Sequence, residues 1–292
     1  MKYVDFYGEA PHEAGAFSVF EDGDIAVFFP KRRRDLHKGA CGTANIIGGS
    51  AGVGASFLAA GACLKSGAGY TKLYLPPTVY PHAIGSVSPA CILREFSAVE
   101  GELLLADCIA VGMGAGVSEE LYADILKLLH SFQGTLVLDA DALNALAFYG
   151  VEALKRKNCR VIVTPHPKEF SRLTKKPIGE ILEDPITAAL RFAREYEVTV
   201  ILKNYRSVIT DGERIALNVT GSPALAKGGS GDVLSGLLAG TVARGTAPFD
   251  AAAVSSFLLG KAGELAALEM GEYAPDATDI IHYLAKAIAR YK

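Results

Sequence analysis

The chain has 292 residues, half of them hydrophobic, and a net charge of −3, which is enough apolar material for a large core in one α/β domain. That balance excludes a nucleic-acid-binding protein built on bulk charge, since the one basic run, Lys31-Arg32-Arg33-Arg34, is short enough to be a solvated loop. The longest apolar stretches are broken by Gly, Lys or Asp, which excludes a membrane span.

From the N-terminus, residues 1–15 are polar and acidic and do not resemble a signal peptide, and residues 1–36 read as a leader segment. Short β-branched runs then predict strands at 44–47, 70–75, 108–111, 135–138, 160–164 and 198–202. Helix-period stretches at 56–65, 119–132, 186–196 and 251–270 separate or follow them. Residues 207–210, a turn at Asp211-Gly212 and residues 214–218 predict an antiparallel hairpin at one edge. No linker divides the chain, so residues 1–292 are expected to form a single three-layer α/β/α domain with a mostly parallel sheet. Five cysteines at 41, 63, 91, 108 and 159 form no C-x-x-C pair and read as small core residues of a reduced, cytoplasmic protein.

The polar and glycine-rich turns fall after successive predicted strands, on the edge where open parallel sheets bind ligands. They are Gly48-Gly49-Ser50, Gly112-Met113-Gly114-Ala115-Gly116, Asp139-Ala140-Asp141, Pro165-His166-Pro167-Lys168-Glu169 and Lys203-Asn204-Tyr205-Arg206-Ser207. Each also has a structural reading: Asp141 as a helix cap, His166 as a rigid-loop residue between prolines. The most informative stretch is Lys227-Gly228-Gly229-Ser230-Gly231-Asp232, followed by Val233, Leu234, Leu237 and Leu238. Glycines ahead of a helix free backbone N–H groups to hold phosphate. A carboxylate there is either a base or an N-cap. Neither a G-x-x-x-x-G-K-[ST] loop nor a clean G-x-G-x-x-G fingerprint is present, so a nucleotide would bind in another way.

Taken in order, Gly48-Gly49-Ser50 with Gly54-Ala55, Leu138-Asp139-Ala140-Asp141-Ala142-Leu143-Asn144, Thr164-Pro165-His166-Pro167-Lys168-Glu169 and Gly228-Gly229-Ser230-Gly231-Asp232 resemble the NAD(P)H-hydrate dehydratases of the ribokinase-like superfamily. The resemblance runs from about His37 to the C-terminus, without the epimerase domain that some members carry ahead of it. It implies a ribokinase-like fold and an ADP- or ATP-dependent lyase that phosphorylates the hydroxyl of NADHX or NADPHX and eliminates phosphate to restore NADH or NADPH. It implies Asp232 as catalytic base, with Ala55, Gly114, Gly116, His166 and Asp232 on the hydrate. Lys203, Asn204, Tyr205, Arg206, Ser207, Gly229, Ser230 and Gly231 would hold the adenine nucleotide, with Mg²⁺ as cofactor; the motifs do not single out the metal's ligands. A homo-oligomer, a tetramer, is implied, with small molecules as the other partners. The motifs depart from the family at Met113, at Asn204 and at Lys227, where a short polar residue is usual. Lys227 is either a cation for the diphosphate or a solvated loop residue. The rival readings are a ribokinase-like kinase of a vitamin-precursor alcohol and a non-catalytic nucleotide sensor; retention of Asp232 speaks against the sensor.

Overall fold

Runs such as Cys108-Ile109-Ala110-Val111 and Thr135-Leu136-Val137-Leu138 are apolar on both faces of a strand, as a parallel sheet covered by helices on both sides requires. The computed structural model describes residues 17–291, and in it these runs lie at the centre of a ten-stranded sheet. In chain order the strands are β1 (Ser18–Val19), β2 (Thr43–Ile47), β3 (Tyr70–Leu75), β4 (Ile92–Glu95), β5 (Cys108–Val111), β6 (Thr135–Leu138), β7 (Arg160–Val163), β8 (Thr199–Leu202), β9 (Val208–Thr210) and β10 (Ile215–Leu217). Across the sheet their order is β1-β10-β9-β8-β7-β6-β5-β2-β3-β4, and β9 alone runs against the rest. The parallel sheet and its antiparallel hairpin are as the sequence predicts.

Helices cover both faces. α1 (Asp22–Ala26), α2 (Val53–Cys63), α3 (Tyr80–Ala83), α4 (Glu119–Ser131), α5 (Asp141–Tyr149), α6 (Pro167–Thr174), α7 (Ile178–Glu183), α8 (Pro185–Tyr196), α9 (Ser230–Ala243), α10 (Pro248–Met270) and α11 (Ala277–Ile288) follow in chain order. Ile109, Val111, Leu136 and Leu138 pack on one side against Leu128, Leu143, Phe170 and Phe192 of α4, α5, α6 and α8. Cys108, Ala110 and Val137 point the other way, toward Ala59, Leu238 and Ala252 of α2, α9 and α10. A further cluster joins α9, α10 and α11 through Val233, Leu237, Val254, Leu258, Ile280 and Leu284.

Three expectations are corrected. The hairpin turn is not Asp211-Gly212 alone: Thr210 pairs with Ile215, leaving a four-residue loop. Asp211 Oδ1 accepts from the amides of Glu213 and Arg214 (3.1 and 2.7 Å), which sets that longer turn. The hairpin is also not the sheet edge, because β1 pairs outside β10. The predicted leader is structured over residues 17–36, where it supplies β1 and α1 and buries Ile25 completely, while residues 1–16 lie outside the described part. The cysteines are buried and unpaired as expected. Burial pushes the Cys63 thiol up to about 12, and those of Cys91 and Cys159 up to about 11. One described helix, Pro248–Met270, is long and apolar enough by length and composition to cross a membrane, and 72% of its apolar window is buried in the fold.

Strand order reverses between β2 and β5: β2 leads to β3 and β4 on one side, β5 to β6, β7 and β8 on the other. Ligands in open α/β sheets lie at the carboxyl ends of the strands at such a point. α9 sits over it, pressed closely onto α2. A Cβ on Gly236 would lie 1.9 Å from the Ala59 carbonyl oxygen, and one on Gly240 would lie 1.8 Å from Ser66 Oγ. Gly236→Ala is therefore expected to force the helices apart and destabilise the fold by about 1–3 kcal/mol, the usual cost of overpacking. Thermal unfolding checks this; an unchanged Tm would mean that the α9–α2 contact is slack.

Candidate active site

Gly229 precedes α9 with φ +96°, a conformation that a side chain resists, and a Cβ there would lie 2.7 Å from carbons of Ala277 and Leu58. Ser230, Gly231 and Asp232 then form the first helical turn. Gly229 occupies the N-cap, and no side chain caps the helix, so the capping reading of Asp232 is overturned. Its carboxylate makes no hydrogen bond or ion pair among the described residues. Burial raises its pKa to about 6, the negative charges of Asp139 and Asp141 add to that, and the Lys203 ammonium works against them. A carboxylate titrating near 6 is a competent base at neutral pH.

Asp139, at the end of β6, is 1% exposed. Lys203, just past β8, donates from Nζ to its Oδ1 at 2.8 Å, and Ser235 of α9 donates from Oγ to its Oδ2 at 2.7 Å. Burial pushes Asp139 up, but Lys203 and the hydrogen bonds from Lys203, Ser235 and Thr164 outweigh it and hold the carboxyl below its ordinary range. Lys203 moves the other way: burial opposes its charge, yet Asp139, Glu169 and Asp232 raise it. The pair is ionised. A Cβ on Gly231 would lie 3.5 Å from Lys203 Nζ, so the ammonium stands against the glycine turn that opens α9.

The two glycine turns of the switch point interlock. Gly52 N–H donates to the Gly114 carbonyl at 3.0 Å, and a Cβ on Gly49 would lie 2.1 Å from Ala115 Cα. Gly114 and Gly116 have φ +64° and +77°. Gly116 N–H donates to Asp141 Oδ2 at 2.8 Å, so Asp141 ties this turn to α5 instead of capping α5, whose N-cap is Ala140. Ala55 lies half-buried in the first turn of α2, beside Gly54, where a Cβ would meet nothing within 4 Å. His166 is the N-cap of α6: its Nδ1 accepts from the amides of Lys168 and Glu169 (3.1 and 3.2 Å), and its own amide donates to Glu169 Oε2 at 2.8 Å. The ring's Nε2 lies 3.4 Å from Glu169 Oε1.

On the other side of α9, a cavity of about 680 Å³ is lined by Lys203–Ser207, Ser230 and Gly231, with Pro223, Leu225, Leu234 and Leu259 supplying an apolar wall. It brings together seven of the eight residues expected at the nucleotide; Gly229 lies just outside it. Gly114, Gly116 and His166 belong to the turns after β5 and β7, and Ala55 to the first turn of α2, the helix that follows β2.

Residues 44–286 match the family model described as NAD(P)H-hydrate dehydratase. The chain belongs to the NAD(P)H-hydrate dehydratase family. It is 33% identical over 282 residues to the ADP-dependent (S)-NAD(P)H-hydrate dehydratase of Cenarchaeum symbiosum, covering 92% of this chain and 96% of that one. It is 36% identical over 270 residues to the bifunctional NAD(P)H-hydrate repair enzyme of Moorella thermoacetica, spanning 87% of itself but only 51% of that protein. The ADP/ATP-dependent NAD(P)H-hydrate dehydratase of Bacillus subtilis, co-crystallised with ATP/Mg²⁺, superposes with a TM-score of 0.84 at 27% identity, over 96% of this chain and all of that one. A ribokinase-like superfamily protein from Enterococcus faecalis superposes at 0.78, which makes the fold ribokinase-like.

The departures of this NAD(P)H-hydrate dehydratase-family chain have local explanations. Met113 is fully buried, and the turn is shaped by Gly112, where a Cβ would lie 1.9 Å from the Asp139 carbonyl. Asn204 is not in the left-handed region. Its turn is held by Asn204 Oδ1, which accepts from Tyr205 N–H at 2.8 Å, and by Ser207 Oγ, which donates to the Asn204 carbonyl at 3.2 Å. Lys227 donates to the Tyr273 carbonyl and does not line the Lys203–Ser207 cavity, which favours the loop reading over the phosphate cation. Motif spacing brought out the Asp139-Ala140-Asp141 turn but neither Ser235 nor the bonding of Asp139 to Lys203 and Ser235.

Proposed function

We propose that the protein is an ADP-dependent (S)-NAD(P)H-hydrate dehydratase. The observation that carries this reading is the unpaired Asp232 carboxylate in the glycine-led first turn of α9, between the Lys203–Ser207 cavity and the interlocked glycine turns. Lys203, Asn204, Tyr205, Arg206, Ser207, Ser230 and Gly231 would hold ADP, with Gly229 shaping the turn. Ala55, Gly114, Gly116 and His166 would hold the hydrate with its hydroxyl toward Asp232.

Asp232 takes the hydroxyl proton as the oxygen bonds to the β-phosphorus of ADP and the bond to AMP breaks. The free amides of the α9 turn, its positive dipole end and the Lys203 ammonium offset the charge on the phosphoryl group in flight. The phosphate ester then leaves with the electrons of its C–O bond. The adjacent ring carbon loses a proton, and the double bond of NADH or NADPH returns. Among the described residues no three His, Cys, Asp or Glu side chains gather as a metal site. A Mg²⁺ would be held chiefly by the nucleotide phosphates, where it would supply charge neutralisation. A cytoplasmic, homo-oligomeric enzyme, a tetramer, completes the proposal. Mixing the protein with (S)-NADHX and ADP should return the near-ultraviolet absorbance of NADH; no return with either ADP or ATP would sink the reading.

His166 offers a finer check, because its cap and its ligand contact separate chemically. His166→Asn keeps a good N-cap acceptor and removes the imidazole, so stability should hold while the KM for hydrate rises and that for ADP stays put. His166→Ala should add a loss of about 1 kcal/mol in stability. Equal effects on both KM values, or an unchanged hydrate KM in the Asn variant, would leave the histidine a cap and nothing more.

A further inference from the structure

Three carboxylates compete for one ammonium at this site. Lys203 feels Asp139, Glu169 and Asp232 together, and it pairs with Asp139. The choice is built into the backbone. Ala140, between Asp139 and Asp141, has φ +47° and ψ −115°, a conformation that is strained for a non-glycine residue and persists only when its surroundings impose it. That turn sends one carboxylate to Lys203 and Ser235 and the other to Gly116 N–H. Glu169 is engaged with the His166 amide at the α6 cap.

We propose that Asp139 is a positioning residue for the reaction. By holding the Lys203 ammonium on its own buried carboxylate, with Ser235 as second anchor, it keeps that cation beside the phosphoryl path and stops it from pairing with Asp232. The proposal rests on Asp232 as the base. The charges that reach Asp232 are Asp139 and Asp141 from the turn after β6 and Lys203 from the end of β8. The elements packed against α9 add none: α2, β2, β5 and β6 carry no charged side chain in the ranges given above. The charges of α10 and α11 are engaged among themselves, as in Lys261–Glu264, Lys286–Glu269 and the Asp276 cap, or on the hairpin, as in Arg214–Asp250.

The test is the pH profile of kcat/KM for hydrate in three variants. In Asp139→Asn, Lys203 is released to Asp232, a negative neighbour is lost, and the acid limb should move down by roughly 1–3 pH units. In Lys203→Met the opposing cation is gone, and the limb should move up. Ser235→Ala, which removes one of the two anchors, should move it down by less, and it carries the test if Asp139→Asn does not fold. An acid limb fixed at the wild-type pH in Asp139→Asn and Lys203→Met, with only the plateau lowered, would make Asp139 purely structural and overturn the proposal. Activity retained in Asp232→Asn would instead overturn the base assignment itself, so the two failures are distinguishable.

Discussion

Asp232→Asn is expected to fold, to bind ADP, and to turn hydrate over about two to four orders of magnitude more slowly, the usual loss for a general base. The change is nearly isosteric, and the carboxylate it replaces makes no hydrogen bond among the described residues. The protonation shift gives the sign of the stability change. Asp232 titrates near 3.8 when unfolded and near 6 when folded, so its charged form is disfavoured in the fold. That penalty is absent below pH 4 and develops as the pH rises toward 6. Removing the charge at pH 7 should therefore leave the variant at least as stable as the parent. The same shift places the acid limb of wild-type kcat/KM near pH 6, with activity rising above it as the base loses its proton. A variant with near-wild-type turnover, or a wild-type profile flat from pH 5 to 8, contradicts the assignment.

Gly114→Ala carries the second-largest expected effect. Gly114 has φ +64°, and a Cβ there would lie 2.0 Å from the Gly52 carbonyl oxygen and 2.6 Å from its carbon. Both atoms are backbone and cannot swing aside. The alanine must open the Gly52–Gly114 hydrogen bond and part the two turns that meet at the switch point. Strain of about 1–3 kcal/mol corresponds to a loss of roughly 5–150-fold in kcat/KM for hydrate, with lowered thermal stability. The KM for ADP should hold, because the cavity proposed for the nucleotide is lined from the far side of α9. An unaffected hydrate kcat/KM would mean that these turns shape the fold and not the hydrate pocket.

The parallel core was legible because β5, β6 and β8 are buried along their whole length and carry unbroken apolar runs. β4 and β1 were not: a strand of two half-buried and two exposed residues and a strand of only two residues leave no pattern to read. The glycine-led Asp232 was legible since its neighbours in sequence are its neighbours in space. Asp139 and Lys203 lie 64 residues apart, just past β6 and β8 with β7 between those strands, so their pairing appears only once the strands are in register. The available signal was an acid and a base at equivalent positions after two strands of one sheet. Sequence alone likewise left Asp232 and Asp141 as candidate caps; helix boundaries decided both, since each falls inside its helix and binds elsewhere or not at all. Lys227 was ambiguous until its carbonyl partner was placed.

The most direct test is a product balance for wild-type protein incubated with (S)-NADHX and ADP. The account predicts AMP, inorganic phosphate and NADH appearing in equal amounts and at one rate, with all three slowed together by about two to four orders of magnitude in Asp232→Asn. AMP formed together with a stable phosphorylated hydrate, without phosphate or NADH, would contradict it and make the protein a kinase.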